Sequence, residues 1–541
     1  MRRGRRALLA VALAVVVVTL VIYGPTITDY PVQDDFGVLA LLSSKPASYF
    51  PRWFVTTWMD GIWGYTPDEV RPFPALSYQL TTAAGATRTF ANHAVNIALH
   101  AVNGWLVLLV GMEAVGLSLG AAAVAALAFA VLPIQTESVA WITGRVDSLP
   151  ALFYVAGFLA WVWWRKAGGP ARYLSALGFL FLALFSKQNT ITFVPAIVAW
   201  DVLVHGERPW AGRRAFTAAV RAYLPFVALT VAYLGLRYML FGAVVREDTL
   251  AAQPAEVLVQ IQRHHMERLV LGSLTAARAG GWTLAACGAV VAALGVALSS
   301  GNRSHGSRGL VFCLTWIVLG LAPVAVAGYE SPRHVYLASA GWVLALGLAA
   351  DVLWRARPGT VWKPATAGLV LALLASYTVQ VVADVRVWHT RARVSEIAAV
   401  DLDRELTGLP DGTLVIVGVP KRSWEWALPF VARPPSAGVD YWSRVSIISE
   451  RWLYCCRHEW EGQTRAAIAR WMARPDQPPV VALFWDAETG DLSRLTSQEE
   501  TSLPVTVSLL AQTPGALPLD HGISDLLRLL VAPRRVTRAT P

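Results

Sequence analysis

Two adjacent carboxylates, in the run Gln33-Asp34-Asp35-Phe36, follow a long apolar segment by a few residues. Beside a membrane surface such a pair can supply a general base, a metal ligand or both. The plain alternative is a solvated turn. The same loop, residues 24–89, ends at Arg71-Pro72-Phe73-Pro74 and carries Tyr49-Phe50-Pro51-Arg52-Trp53-Phe54, an aromatic stretch suited to lying in the interface plane. Next come His93, Asn96, His100 and Asn103, spaced to share one face of an otherwise apolar helix. Polar side chains in hydrocarbon need partners, so this stripe faces other helices or a wet cavity. Asn96 and Asn103 read as hydrogen-bonding glue between helices, whereas His93, near the outer end, can reach a site.

Further along, Thr136-Glu137-Ser138, Gly144-Arg145 and Asp147 form a third polar patch, Ser186-Lys187-Gln188 a fourth, and Glu330, Arg333 and His334 a fifth. Each alone reads as a satisfied helix end. Their shared placement, on the side of the membrane that holds the acid pair, argues for a site. Arg71, Arg145, Lys187 and Arg333 around carboxylates suit a phosphate, which arginine grips with two parallel donors and lysine with a point charge. No P-loop and no Gly-rich dinucleotide fingerprint is present. The phosphate therefore belongs more naturally to a lipid entering between helices, and the matching chemistry is glycosyl transfer from a polyprenyl phosphate.

The elements that must position these residues are membrane helices. Hydrophobic residues make up 55% of the 541, charged residues 15%, and mean hydropathy is +0.47, a balance foreign to water-soluble chains. Apolar runs near 8–23, 90–110, 120–132, 149–164, 173–185, 190–204, 223–241, 282–298, 310–327, 335–353 and 365–383 predict about eleven transmembrane helices. The first, preceded by Arg2, Arg3, Arg5 and Arg6, also resembles a signal peptide, but no small-residue cleavage site follows it.

Basic loops stay in the cytoplasm. With the amino terminus inside, the loops holding Arg165-Lys166, Arg208 to Arg221, Arg303 to Arg308 and Arg355 to Lys363 are cytoplasmic, and the polar patches face outward. Residues 1–385 then form a transmembrane module. Residues 386–541 form an extracytoplasmic tail, whose short apolar runs at 413–419 and 480–484 suggest a small α/β domain. The net charge of +10 follows from topology, and no nucleic-acid motif accompanies it. Cys455-Cys456 are adjacent, poor geometry for an ordinary disulfide. No cofactor or metal is expected; a metal at the acid pair would need further ligands, with Glu137 and Asp60 as the candidates.

The order Asp34-Asp35, then Arg71-Pro72-Phe73, then His93 to Asn103 resembles the start of the O-mannosyltransferases that carry tetratricopeptide repeats. Leu132-Pro133-Ile134-Gln135-Thr136-Glu137-Ser138-Val139 with Gly144-Arg145-Val146-Asp147 resembles that family's most recognisable stretch. Ser186-Lys187 and Glu330-Ser331-Pro332-Arg333-His334 match later parts in order. The resemblance covers roughly residues 20–350.

It implies a GT-C-type membrane glycosyltransferase taking a sugar, mannose by family default, from a polyprenyl phosphate on the outer face, with Asp34 or Asp35 as base. The family's phosphate-binding residues would map onto Arg145, Lys187 or Arg333; with Arg71 added from the polar patches, these four would meet the donor phosphate, supported by His93, Glu137, Asp147, Glu330 and His334. Partners would be the lipid-linked donor, membrane lipids, and a protein, lipid or glycan acceptor. The expected location is a bacterial cell membrane. Two departures stand out: Leu132 occupies the place of the usual histidine, and the tail from Arg386 lacks the period of tetratricopeptide repeats. The same buried charges would also suit a transporter or lipid flippase, although no internal repeat is evident. A third reading makes the membrane part an anchor and the tail the working module.

Overall fold

Runs of apolar residues without internal breakers become long helices in the computed structural model of the chain. It describes residues 2–59, 69–83, 88–244, 254–273, 288, 305–325, 331–356, 362–420, 424, 427–449, 466–476, 478–486 and 489–494. The chain divides into two compact units. One takes in Met1–Thr28, Ala47–Trp58 and Asp68–Trp388; the other takes in Asp29–Pro46, Met59–Pro67 and His389–Pro541.

Among the described residues of the whole chain, seven helices are long and apolar enough to cross a membrane. They lie within Gly4–Thr26, Thr89–Val115, Ile142–Ala167, Arg213–Phe241, Gly306–Ala325, Pro332–Arg355 and Lys363–Leu406. The pair Leu119–Val131 and Pro133–Ala140, bent by 49°, is long and apolar enough to make an eighth if the two are taken as one span; Pro133 has no N–H to continue the ladder. Two expected spans are short. The run at 173–185 is the helix Pro170–Leu184, 15 residues or about 22 Å long, against a hydrocarbon layer of about 30 Å. The run at 190–204 is broken into a 3-10 turn, the helix Phe193–Trp200 and a π turn that ends on Gly206 at φ 86°. Apart from residue 288, the expected span at 282–298 lies outside the described residues, as do Glu330, Asp60 and Cys455-Cys456.

The helices used below are α1 (Arg2–Tyr23), α2 (Asp35–Ser43), α3 (Pro72–Ala83), α4 (Arg88–Val110), α5 (Leu119–Val131), α6 (Thr136–Ala140), α7 (Arg145–Ala167), α8 (Pro170–Leu184), α9 (Phe193–Trp200) and α10 (Arg213–Phe241). They continue with α11 (Ala255–Leu271), α12 (His305–Ala325), α13 (Tyr336–Ala356), α14 (Trp362–Leu406) and α15 (Leu428–Val431).

In the first unit α13 is the most enclosed span, packed between α12 and α5. A side chain at Gly341 would meet the Cys313 carbonyl at 2.7 Å, and one at Gly347 would meet the Ala121 carbonyl at 2.7 Å. Small residues let these backbones approach, as membrane helices require. The polar stripe of α4 is consumed by neighbours. His100 Nδ1 lies 2.9 Å from the Tyr336 hydroxyl, and its Nε2 lies 3.3 Å from the carbonyl of Ala130. Asn103 donates to the Ser148 carbonyl at 2.9 Å and to the Tyr336 hydroxyl at 3.1 Å.

The second unit is built on a four-stranded sheet of order β2-β1-β3-β4, with β1 (Leu414–Val417), β2 (Ser446–Ser449), β3 (Val480–Trp485) and β4 (Leu492–Arg494). β1 runs parallel to β2 and β3, so that Val415 stands between Ile447 and Val481, and β4 closes one edge antiparallel. Leu402, Leu406, Val415, Val417, Leu428, Ile447 and Val481 form its core, and Phe36 from α2 is buried with them. Asp401 of α14 accepts the amide of Leu492 at 2.9 Å, which ties that helix to the edge strand.

Candidate active site

Lys187 and Arg333 gather with Glu137 and Asp147 where four chain breaks meet. The α5–α6 bend presents Glu137; the start of α7 presents Asp147; the turn after α8 presents Lys187; and the 3-10 turn Pro332–Val335 presents Arg333. Gly144 permits the α6–α7 turn, because any side chain there would collide with the carbonyl of Glu137.

Asp147, almost wholly buried, bridges two cations. One carboxylate oxygen takes the ammonium of Lys187, and the other lies 3.6 Å from Nε of Arg333. Arg333 Nη1 donates to Glu137 at 2.6 Å, and the same Glu137 oxygen accepts the Ser331 hydroxyl at 2.7 Å. The guanidinium lies 4.8 Å from the Trp141 ring, which is stacked on Trp388. Arg71 joins from α3's side. Its Nη2 donates to Glu69 at 2.7 Å, it lies 5.4 Å from the Trp58 ring, and the Phe73 amide donates to the Phe185 carbonyl at 3.5 Å, pinning α3 beside the Lys187 turn. Burial pushes Lys187 below the ordinary lysine pKa; Asp147 opposes this, and the charges of Arg71 and Arg333 add to it. The field at Lys187 thus includes two further cations, which is the arrangement an incoming anion would relieve.

His334 is buried beside this network, with its ring centroid 6.5 Å from that of His265 on α11. His93, in the second turn of α4, is also buried. Arg145 is used differently. Fully buried, it donates from Nε to Asn96 at 2.8 Å, from Nη1 to Ser77 and Thr81 at 3.3 Å each, and from Nη2 to the carbonyl of Asn92 at 2.8 Å and its side chain at 2.9 Å, with its face on Tyr78. Asn96 in turn donates to the carbonyls of Trp141 and Ile142 at 2.9 and 3.1 Å. This is a brace between α3, α4 and α7.

The acid pair belongs to the second unit. Gln33 turns the chain with φ 55°, a left-handed conformation that is uncommon for a residue with a side chain. Asp35, 1% exposed, points inward: its carboxylate accepts the amide of Val32 at 3.1 Å, while its own amide donates to the carbonyl of Val32 at 3.1 Å. Asp34, at the start of α2, is partly exposed. The loop is held from within its unit. Ser395 donates to the carbonyl of Pro31 at 2.7 Å and accepts the indole N–H of Trp424 at 2.9 Å, and Phe36 packs edge-on against Trp424.

Asp29, with His389, is a second acidic feature of this loop, and sequence reasoning passed over both. Asp29 Oδ1 lies 2.6 Å from His389 Nδ1. Burial raises its carboxyl pKa, and the contact with His389 opposes that rise. A lone aspartate at the end of an apolar run carries no spacing that would have signalled this. Among the described residues no group of three or more His, Cys, Asp or Glu is placed to hold a metal ion.

No family model matches the chain. Part of it is 38% identical over 133 residues to protein O-mannosyl-transferase Tmtc1 of Drosophila melanogaster, and 34% identical over 146 residues to TMTC1 of Homo sapiens. These alignments take in 25% and 26% of this chain and span 15% and 16% of the length of those relatives. The fold compares over far more. The crystal structure of ArnT from Cupriavidus metallidurans bound to undecaprenyl phosphate superposes with a TM-score of 0.53, covering 88% of this chain and 93% of that one at 12% identity. The archaeal oligosaccharyltransferase AglB from Archaeoglobus fulgidus, in complex with an inhibitory peptide and a dolichol-phosphate, gives 0.50 over 91% and 74% at 12% identity. The chain therefore has the GT-C-type membrane fold, with a small α/β sheet after its last membrane helix.

Proposed function

We propose that the chain is a membrane glycosyltransferase. It moves a sugar from a polyprenyl-phosphate carrier to an acceptor hydroxyl on the outer face, with inversion at the anomeric carbon. The observation that supports this most is the set of buried Arg71 and Lys187 with half-buried Arg333 at the broken helix ends of a fold shared with proteins solved with undecaprenyl phosphate and dolichol-phosphate. In this reading these three cations receive the donor's phosphate and stabilise it as it departs, and Glu137, Asp147 and His334 orient them. Phosphate is a good leaving group, so no acid is needed to protonate it. Asp34 accepts the hydroxyl proton as the oxygen attacks, and Asp35 holds the turn. Arg145, grouped with the phosphate ligands on sequence, acts as the brace beneath them.

Mannose is the first sugar to try, because the aligned relatives are named O-mannosyl-transferases. The acceptor is a protein, lipid or glycan presented outside the membrane. The amino terminus faces the cytoplasm, which follows from the basic loops. Purified protein in detergent, supplied with radiolabelled polyprenyl-phosphate sugars, should release or slowly hydrolyse one of them, and the anomeric configuration of the product should be inverted. Substrate flux across proteoliposomes without sugar release would favour the transporter reading instead.

A further inference from the structure

At the end of the bundle where α5 and α14 begin and α13 ends, three helices leave a groove between them. It has a volume of about 540 Å³, and Ala121, Val124, Ala350, Ala367, Val370 and Leu371 form most of its wall. The small side chains at Ala121, Ala350 and Ala367 are what open it. A narrower cavity continues along the same three helices past Ala128, Leu346 and Leu373, sharing Val124, Ala350 and Val370 with the first. The mouth differs from the body. Ser118 donates to Asp351 at 2.6 Å, Arg355 Nη2 pairs with Asp351 at 2.8 Å, and Lys363 Nζ lies 5.8 Å from the Trp354 ring. Among the described residues, Asp351 set against Arg355 and Lys363 leaves the mouth with one excess positive charge.

We propose that this groove is a phospholipid site: an acyl chain fills the apolar body, and the anionic phosphodiester sits at Arg355 and Lys363. The occupant is a lipid because the body lies between membrane-crossing helices and its wall is mostly apolar, with Thr366 the polar exception, which offers little to receive a sugar or nucleotide. The mouth matches the head group in sign, as basic pockets between helices at a membrane surface do for anionic lipids. Asp351, tied to Ser118 and Arg355, fixes the arginine and leaves Lys363 as the exchangeable contact. The site lies at the opposite ends of α5 and α13 from Glu137 and Arg333, so it is separate from the proposed donor site and independent of that reading.

Native mass spectrometry of the full chain, released from nanodiscs containing equal amounts of dioleoyl-phosphatidylglycerol and dioleoyl-phosphatidylcholine, tests the assignment. One phosphatidylglycerol should be retained in preference. Ala367→Trp, which fills the body, should abolish its retention. The exposed change Lys363→Gln should weaken retention roughly fivefold, the effect of one cation near a lipid surface, in a protein that elutes and melts like the parent. Equal retention of both lipids, or unchanged retention in both variants, would overturn the proposal. So would a dimer whose cysteine cross-links run through Leu371, because a second copy would then be the occupant.

Discussion

The hydroxyl of Ser395 accepts the indole N–H of Trp424 at 2.9 Å and at the same time donates to the carbonyl of Pro31 at 2.7 Å. One buried oxygen thus links the tail of the chain to the loop that carries Asp34 and Asp35. Ser395→Ala leaves both a donor and an acceptor unpaired, at a cost of about 1–3 kcal/mol. Thermal unfolding should show that loss, and sugar transfer should fall while donor affinity holds. Trp424→Phe should cost less when added to Ser395→Ala than when made alone, because the bond is already gone. Strictly additive losses would mean that the two side chains do not work as one latch.

The acid pair should separate by variant. Asp34→Asn keeps size and polarity but removes the proton acceptor, so transfer should drop roughly 10²-fold or more with normal melting and donor binding. Asp35→Asn weakens the acceptor for the Val32 amide, so its first effect should be on stability. If both variants fold and transfer sugar at parental rates, the base lies elsewhere, and Asp29 beside His389 is the next carboxylate to change.

Donor binding should depend on pH through Lys187. Its pKa is depressed below 10.5 by burial, with Arg71 and Arg333 adding to the shift. Phosphate favours the charged ammonium, so binding takes up a proton wherever the free lysine is neutral. Affinity should therefore fall as pH rises through the depressed value, earlier than an ordinary lysine would allow. Lys187→Arg cannot lose its charge and should flatten the profile; identical profiles would remove Lys187 from the phosphate contact. Arg145→Lys makes the contrast. It should lower stability by at least about 3 kcal/mol, the scale of two lost bonds to a charged group, and leave the shape of the donor pH profile unchanged.

Local pattern made much of this legible. The spacing of Asn96, His100 and Asn103 announced a shared helix face, and each of the three is bonded to another helix, through Arg145, Tyr336 and Ser148. The apolar runs at 413–419 and 480–484 became the paired strands β1 and β3. What stayed hidden is contact at long range. His389 meets Asp29 across 360 positions and Ser395 meets Pro31 across 364, through residue types too common to form a motif. Arg145 shows the same limit. An arginine between a glycine and an acid reads as a ligand for anions, and only the neighbours supplied by α3 and α4 reveal a cation spent on amides, hydroxyls and a carbonyl.

The bond between His100 and Tyr336 bears on how the protein is made. The partners are 236 residues apart, so at about 5–20 residues per second the ribosome needs roughly 10–50 s to deliver Tyr336 after His100 has emerged. Throughout that interval α4 would stand in the bilayer with His100 lacking that partner, at an energetic penalty. A holding step, in which an insertase or a vestibule shelters α4 until α13 is synthesised, would remove that penalty. Nascent chains stalled before Tyr336 would be natural substrates for membrane quality control.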